Sequence, residues 1–192
     1  MVSTFKPFIN PEGDTWILTY HSQKVNPFFP MVNSLYIEDI AHALSNICRF
    51  NGHTSEFYSV AQHGVHVSEI CDRKDMLWGL LHDAPEAYIA DLARPIKYAN
   101  AMKIYRDIES ELMKAVCERF YLVPTIPESV RRADEVALAT EVRDLMPMEA
   151  KEWKFSVAAD QHSIIPLPPG KAKAQFLGRY EELLERNVRL TK

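Results

Sequence analysis

The run Met76-Leu77-Trp78-Gly79-Leu80-Leu81-His82-Asp83-Ala84-Pro85-Glu86-Ala87-Tyr88 decides how this chain is read. Its first six residues form an apolar helical stretch that ends in two charged groups, which puts His82 and Asp83 at the edge of a core. Pro85 has no N–H to offer the carbonyl of Leu81, and its ring would clash there. The helix is therefore expected to break at Ala84 and restart at Pro85. Such a break turns His82, Asp83 and Glu86 inward. With His63 upstream and Asp134 downstream, two imidazoles and two carboxylates become available. These are nitrogen and oxygen donors that a divalent first-row metal accepts, with positions left for water and substrate.

Helical periodicity surrounds this run. Ile37, Ile40, Ala41, Leu44, Ile47 and Cys48 mark one apolar face of a helix reaching Phe50, with Ser34 as N-cap and Glu38 and Asp39 at its positive end. Asn51-Gly52 stops it. A second helix is expected from Thr54 or Ser55 to Cys71, and the polar turn Asp72-Arg73-Lys74-Asp75 folds the next helix back against it. That reversal is what allows His63 to approach His82. Beyond the motif, the pattern predicts a long helix over 100–121, another over 128–145 that carries Asp134 and Glu141 on one stripe, and a last amphipathic helix over 172–186. Residues 148–169 read as irregular. Before residue 35 the chain is least regular: Thr15–Tyr20 and Gln23–Asn26 suit a short hairpin, read either as a flap or as a decorated terminus. The expected fold is all-α, a helical bundle over 35–192 with a small irregular or β-hairpin extension over 1–34.

Composition narrows the class. The 192 residues are 47% apolar and 25% charged, as in ordinary globular proteins, and the formal charge is −4. There is no basic footprint for general nucleic-acid binding. Cys48, Cys71 and Cys117 are far apart and read as reduced thiols, which suits a cytoplasmic protein. No secretory leader and no apolar run of about 18 residues is seen, so no membrane association is expected.

The order His63, His82-Asp83, Asp134 resembles the H…HD…D signature of the HD-domain metal-dependent phosphohydrolases. His82-Asp83-Ala84-Pro85-Glu86 followed by Asp91-Leu92-Ala93-Arg94-Pro95-Ile96-Lys97-Tyr98 is similar to the HDxxE…DLxxPxK segment of bacterial 5′-deoxyribonucleotidases. Arg132-Ala133-Asp134 resembles their later xADxL-type segment, and Arg49-Phe50 stands where they have Arg-Trp. Phage-type triphosphohydrolases of deoxynucleoside triphosphates look similar too, through Ile37–His42 and Tyr58–His63. The resemblance covers 35–145 and implies an HD-domain bundle that hydrolyses phosphoesters in nucleotides, most naturally deoxynucleoside 5′-monophosphates or triphosphates. Another phosphoester, such as a guanosine polyphosphate or a cyclic nucleotide, and a non-catalytic nucleotide sensor are the alternatives.

Each residue then has an expected role. His63, His82, Asp83 and Asp134 would hold one ion, with manganese, cobalt, zinc, nickel and iron all compatible. On zinc, bound water falls from a pKa above about 15 to about 7. Glu86, three and four residues past the metal pair, is the expected general acid/base, against the plainer alternative of a solvated glutamate. Arg49 can fork onto phosphate, and Phe50 would face base and sugar. Lys97 would add positive charge or merely snorkel, and Asp91 resembles the residue that meets a sugar hydroxyl. His66, three residues after His63, is expected to reach the phosphate or a second metal. His53 sits in a loop near the pocket, His42 reads as structural, and His21 and His162 as surface. The resemblance is compatible with a homo-oligomer.

Overall fold

The computed structural model describes residues 15–147, 150 and 152–190, without the side chains of 187–190. In chain order these form β1 (Ile17–Leu18), β2 (Lys24–Val25), α1 (Ile37–Asn46), α2 (Val60–Ile70), α3 (Met76–Leu81), α4 (Glu86–Ile89), α5 (Arg94–Lys97), α6 (Lys103–Arg119), α7 (Glu128–Leu145) and α8 (Pro169–Leu190). The fold is all-α with one small antiparallel hairpin, in which Ile17 pairs with Val25 and Leu18 with Lys24. None of the described helices is long and apolar enough to cross a membrane. Cys48, Cys71 and Cys117 are free.

The bundle is built around α2, which packs on α1, α3, α7 and α8. Its sequence explains the position: Val60, Ala61, Val65 and Val67 are buried, so little of the helix is left for water. Two glycines set how closely α3 can approach. A Cβ on Gly64 would stand 2.9 Å from the Leu80 carbonyl oxygen, and one on Gly79 2.9 Å from Cys71 Sγ and 3.1 Å from Ser68 Cα. Since His63 precedes Gly64 and His82 follows Gly79 by three residues, this close approach brings the two histidines together.

Several boundaries differ from expectation for identifiable reasons. Helix α1 stops at Asn46 because Cys48 and Ser59 form a β-bridge, with Arg49 N–H donating to the Tyr58 carbonyl at 2.8 Å. The chain between them is a 3-10 turn over Arg49–Gly52. Helix α2 accordingly starts at Val60, where Ser59 caps it by accepting from Gln62 N–H. Ser34 does not cap α1: it ends a separate 3-10 turn, and its hydroxyl donates to the Met31 carbonyl. Asp39 does more than complement the α1 dipole. It is buried and accepts from Thr19 Oγ1 at 2.6 Å and His21 N–H at 2.8 Å, with His21 Nδ1 also 2.8 Å away. The hairpin is thereby pinned to the bundle, and His21, expected at the surface without a partner, is paired. His42 stacks on Tyr20 at 3.8 Å and is structural, as expected.

Candidate metal centre

Four elements deliver the centre. Helix α2 supplies His63, the C-terminal end of α3 and the following turn supply His82 and Asp83, and α7 supplies Asp134. The predicted break is present: α3 ends at Leu81, and Pro85 precedes the new helix α4 that begins at Glu86. His63 Nε2 lies 3.2 Å from His82 Nε2 and 3.2 Å from Asp134 Oδ1. Asp83 Oδ2 is 3.1 Å from His82 Nε2 and 3.6 Å from His63 Nε2. His63, His82 and Asp83 form a group whose ligand atoms could hold a metal ion.

The chemistry of the donor set fits a divalent ion. Donors at metal bonds of about 2.0–2.2 Å in a tetrahedron stand about 3.3 Å from one another; within the group of His63, His82 and Asp83 the separations are 3.2, 3.1 and 3.6 Å, while Asp134 stands 3.9 Å from His82. Both imidazoles are also oriented from behind. His63 Nδ1 is 2.6 Å from Glu141 Oε1, and His82 Nδ1 is 2.8 Å from the Gly79 carbonyl. An acceptor at Nδ1 fixes the proton there and leaves the Nε2 lone pair facing the centre, which is the arrangement metal-binding histidines use.

Glu141 was placed on the Asp134 stripe by its spacing, but the sequence reading gave it no role. It is fully buried, one carboxylate oxygen facing His63 and the other accepting from Arg49 Nη2 at 2.9 Å. Its position seven residues after Asp134 on the same helix was the available signal: two turns place both acids on one side. The electrostatics follow. Burial and Arg49 press the His63 pKa down, yet Glu141 and Asp134 outweigh them and raise it to about 10. Burial pushes the Asp83 carboxyl up, but His82, His63 and Arg49 together drive it well below the usual range. Asp134, against the same opposition from burial, is held down to about 2, mainly by His63.

The centre opens on a cavity of 690 Å³ whose lining includes Asp83 and Asp134, and also Arg49, Phe50, Glu86, Asp91 and Lys97. Glu86 is 3% exposed, and its Oε2 is buried without a hydrogen-bond partner. Burial, aided by Asp83 and Asp91, raises its pKa well above the ordinary carboxylate value. Asp91 is raised as well, chiefly by burial. Arg49 spends Nη2 on Glu141, while its Nη1 is 3.7 Å from Asp83. Lys97 lines the cavity, but its ammonium is paired with Glu109 at 2.5 Å, so its charge is partly committed elsewhere. His53 reaches the cavity too.

His66 does not. It lines a separate cavity with its Nε2 3.4 Å from Asp160. The expectation that it reaches the phosphate beside the centre is not met by this placement: a step of three residues turns it toward the other cavity. Trp153, which the sequence reading passed over inside its irregular segment, stands on the cavity wall with its ring centroid 6.5 Å from that of Phe50.

Backbone strain gathers at the same place. Phe50 (φ 53°) and Asn51 (φ 51°) are left-handed, which is costly for a bulky residue. Ala90, just before Asp91, has φ 64° and ψ 161°, a region normally occupied by glycine. Its carbonyl accepts from the Tyr105 hydroxyl at 2.6 Å, which helps hold the turn.

No family model matches the chain. It is 38% identical over 156 residues to an Escherichia coli (strain K12) protein named "Uncharacterized protein YfdR", across 80% of this chain and 86% of that one. It is 31% identical over 188 residues to "Uncharacterized protein RCAP_rcc00048" of Rhodobacter capsulatus, across 88% of this chain and 95% of that one. Identity at these levels along nearly the whole of both relatives makes this chain a member of the family that includes the Escherichia coli and Rhodobacter capsulatus proteins.

Proposed function

We propose that this protein is an HD-type, metal-dependent phosphohydrolase that cleaves phosphoester bonds in nucleotides, with deoxynucleoside 5′-monophosphates or triphosphates as its substrates. The observation that carries this reading is the meeting of His63, His82, Asp83 and Asp134 behind a cavity whose wall carries Asp83, Asp134 and Glu86, a buried carboxyl with an unpartnered oxygen. A divalent ion held by those four residues would supply Lewis acidity for a phosphoryl oxygen and lower the pKa of water.

The chain's own groups account for the rest. Glu86, protonated at a higher pH than an ordinary carboxyl, manages a proton at the attacking or leaving oxygen. Arg49 lies beside Asp83, with its Nη1 3.7 Å from that carboxylate, so Nη1 can donate to phosphate while Glu141 holds Nη2. Phe50 and Trp153 offer aromatic surface to the base, and Asp91 can accept from a sugar hydroxyl. At 690 Å³ the cavity falls within the range of about 300–1,000 Å³ typical of small-molecule sites.

The test is product chromatography after incubating metal-loaded protein with deoxy- and ribonucleoside mono-, di- and triphosphates. Nucleoside plus phosphate from monophosphates identifies a nucleotidase, and nucleoside plus triphosphate identifies a triphosphohydrolase. No turnover of any member, with metal content verified, removes nucleotides as substrates.

A further inference from the structure

We propose, resting on the nucleotide-hydrolase reading above, that Arg94 holds the outer phosphates of a nucleoside triphosphate and so makes triphosphates better substrates than monophosphates at this site. Arg49, Arg94 and Lys97 all line the cavity. The first and last are engaged. Arg49 donates to Glu141 at 2.9 Å and lies 3.7 Å from Asp83, and Lys97 is paired with Glu109 at 2.5 Å. The Arg94 side chain is exposed, and among the described residues it has no acid, carbonyl or aromatic ring as a partner. Its charge is therefore available to a ligand.

The head group is free, but the backbone that presents it is held. Arg94 opens α5, whose turn is closed by the Ala93 carbonyl accepting from Ile96 N–H at 2.8 Å and Lys97 N–H at 2.9 Å. Pro95 restricts the chain beside it. The Lys97–Glu109 pair ties α5 to α6, and Arg106 of α6 donates to the carbonyls of Lys97 and Ala99. The pairing that draws Lys97 away from the cavity thus steadies the helix that carries Arg94. A guanidinium in this position has its planar fork open for two parallel bonds to phosphate.

The rest of the lining says which phosphates these are. A monophosphate needs one anion subsite, at the His63, His82, Asp83 and Asp134 cluster with Arg49, and its nucleoside takes up the remaining space. A triphosphate cleaved at its α-phosphorus needs two further subsites, one for the nucleoside and one for the anionic tail. Water adds its oxygen to that phosphorus and gives up a proton, the bond to the 5′ oxygen breaks with its electron pair, and this oxygen takes up a proton as triphosphate departs whole. Phe50 and Trp153 give the cavity an aromatic surface for a base, and Arg94 gives it a free cation on a different segment of the chain. Together they meet both needs.

KM and kcat for deoxyadenosine mono- and triphosphate, measured on metal-loaded wild type, Arg94→Ala and Arg94→Lys, test this. An exposed side chain without partners can be replaced without loss of folding, and the monophosphate rate checks each variant. The wild type should show the higher kcat/KM for the triphosphate. Arg94→Ala should raise the triphosphate KM about tenfold, the scale of one hydrogen bond to a charged group, and leave the monophosphate unchanged, with Arg94→Lys recovering part of the loss. Salt should raise the triphosphate KM more steeply in the wild type than in Arg94→Ala. A wild type that prefers the monophosphate overturns the assignment, as does an Arg94→Ala that leaves the triphosphate KM unaltered or shifts both substrates alike. If no nucleotide is turned over, the hydrolase reading fails by itself, and calorimetric titration with inorganic tripolyphosphate decides the subsite: binding about tenfold weaker in Arg94→Ala supports it, and equal binding overturns it.

Discussion

Glu141 Oε1 stands 2.6 Å from His63 Nδ1, and neither side chain is exposed to solvent. The same carboxylate receives Arg49 Nη2, so one buried acid orients a histidine of the candidate metal centre and restrains the cation beside it. Glu141→Gln should lower metal affinity about 10–100-fold, the usual cost of losing a partner behind a ligand. Glu141→Ala should additionally cost about 3–5 kcal/mol of stability, because it strands Arg49. Competition against a chromophoric chelator reads the first effect and denaturant unfolding the second. Unchanged affinity in Glu141→Gln would reduce Glu141 to a packing residue.

The His63 pKa of about 10 makes metal binding dependent on pH. Below that value the ion-free protein carries a proton on His63 that an incoming ion must displace. Apparent affinity should therefore rise with pH from neutrality toward 10, by up to about tenfold per unit, with about one proton released per ion near pH 7.5. Folding has the opposite sign. His63 gains a proton on folding, so its stabilisation of the ion-free fold is full below the ordinary histidine pKa and fades as pH climbs through about 10. Calorimetry in buffers of different ionisation heat measures the release. Binding with no proton released would contradict this picture of the centre.

Glu86→Gln keeps the shape of the side chain and removes its ability to exchange a proton. Turnover should fall about 10²–10⁴-fold, with metal content unchanged because Glu86 is not among the ligands. Steady-state rates alongside metal analysis decide it, and undiminished turnover takes Glu86 out of the chemistry.

Ala90 sits at φ 64° and ψ 161°, where a Cβ is unwelcome. Ala90→Gly should stabilise the fold by about 1 kcal/mol, the strain relieved less the added freedom of the unfolded chain. Thermal unfolding reads this directly. A loss of stability would mean that the Ala90 methyl contributes more by packing than the backbone loses by strain.

Much of the fold was legible where proline and periodicity act together. Helix α7 runs over Glu128–Leu145 as expected, because Pro127 and Pro147 bound a strong apolar stripe, and the break before Pro85 follows from its missing N–H. The start of α2 was not legible, since it depends on the Cys48–Ser59 bridge, a pairing with no local signal. Within the site, the meeting of His63 with His82 and Asp83 could be anticipated from the turn at 72–75. The second role of α7 could not: a buried glutamate on an apolar stripe looks like any helical glutamate until its two partners are seen. His66 shows the converse, in which nearness along a helix is not nearness in space. Trp153 was hidden because irregular segments carry no period from which a facing side can be deduced.

The most direct measurement is the rate of deoxynucleotide hydrolysis by chelator-stripped protein as a divalent ion is added back, with Asp83→Ala followed in parallel. Stripped protein should be inactive, the wild-type rate should rise with occupancy of the centre and level off when it fills, and Asp83→Ala should stay inactive at the same ion concentrations. A rate indifferent to the ion, or an inert wild type with that site full, would contradict a metal-dependent nucleotide phosphohydrolase.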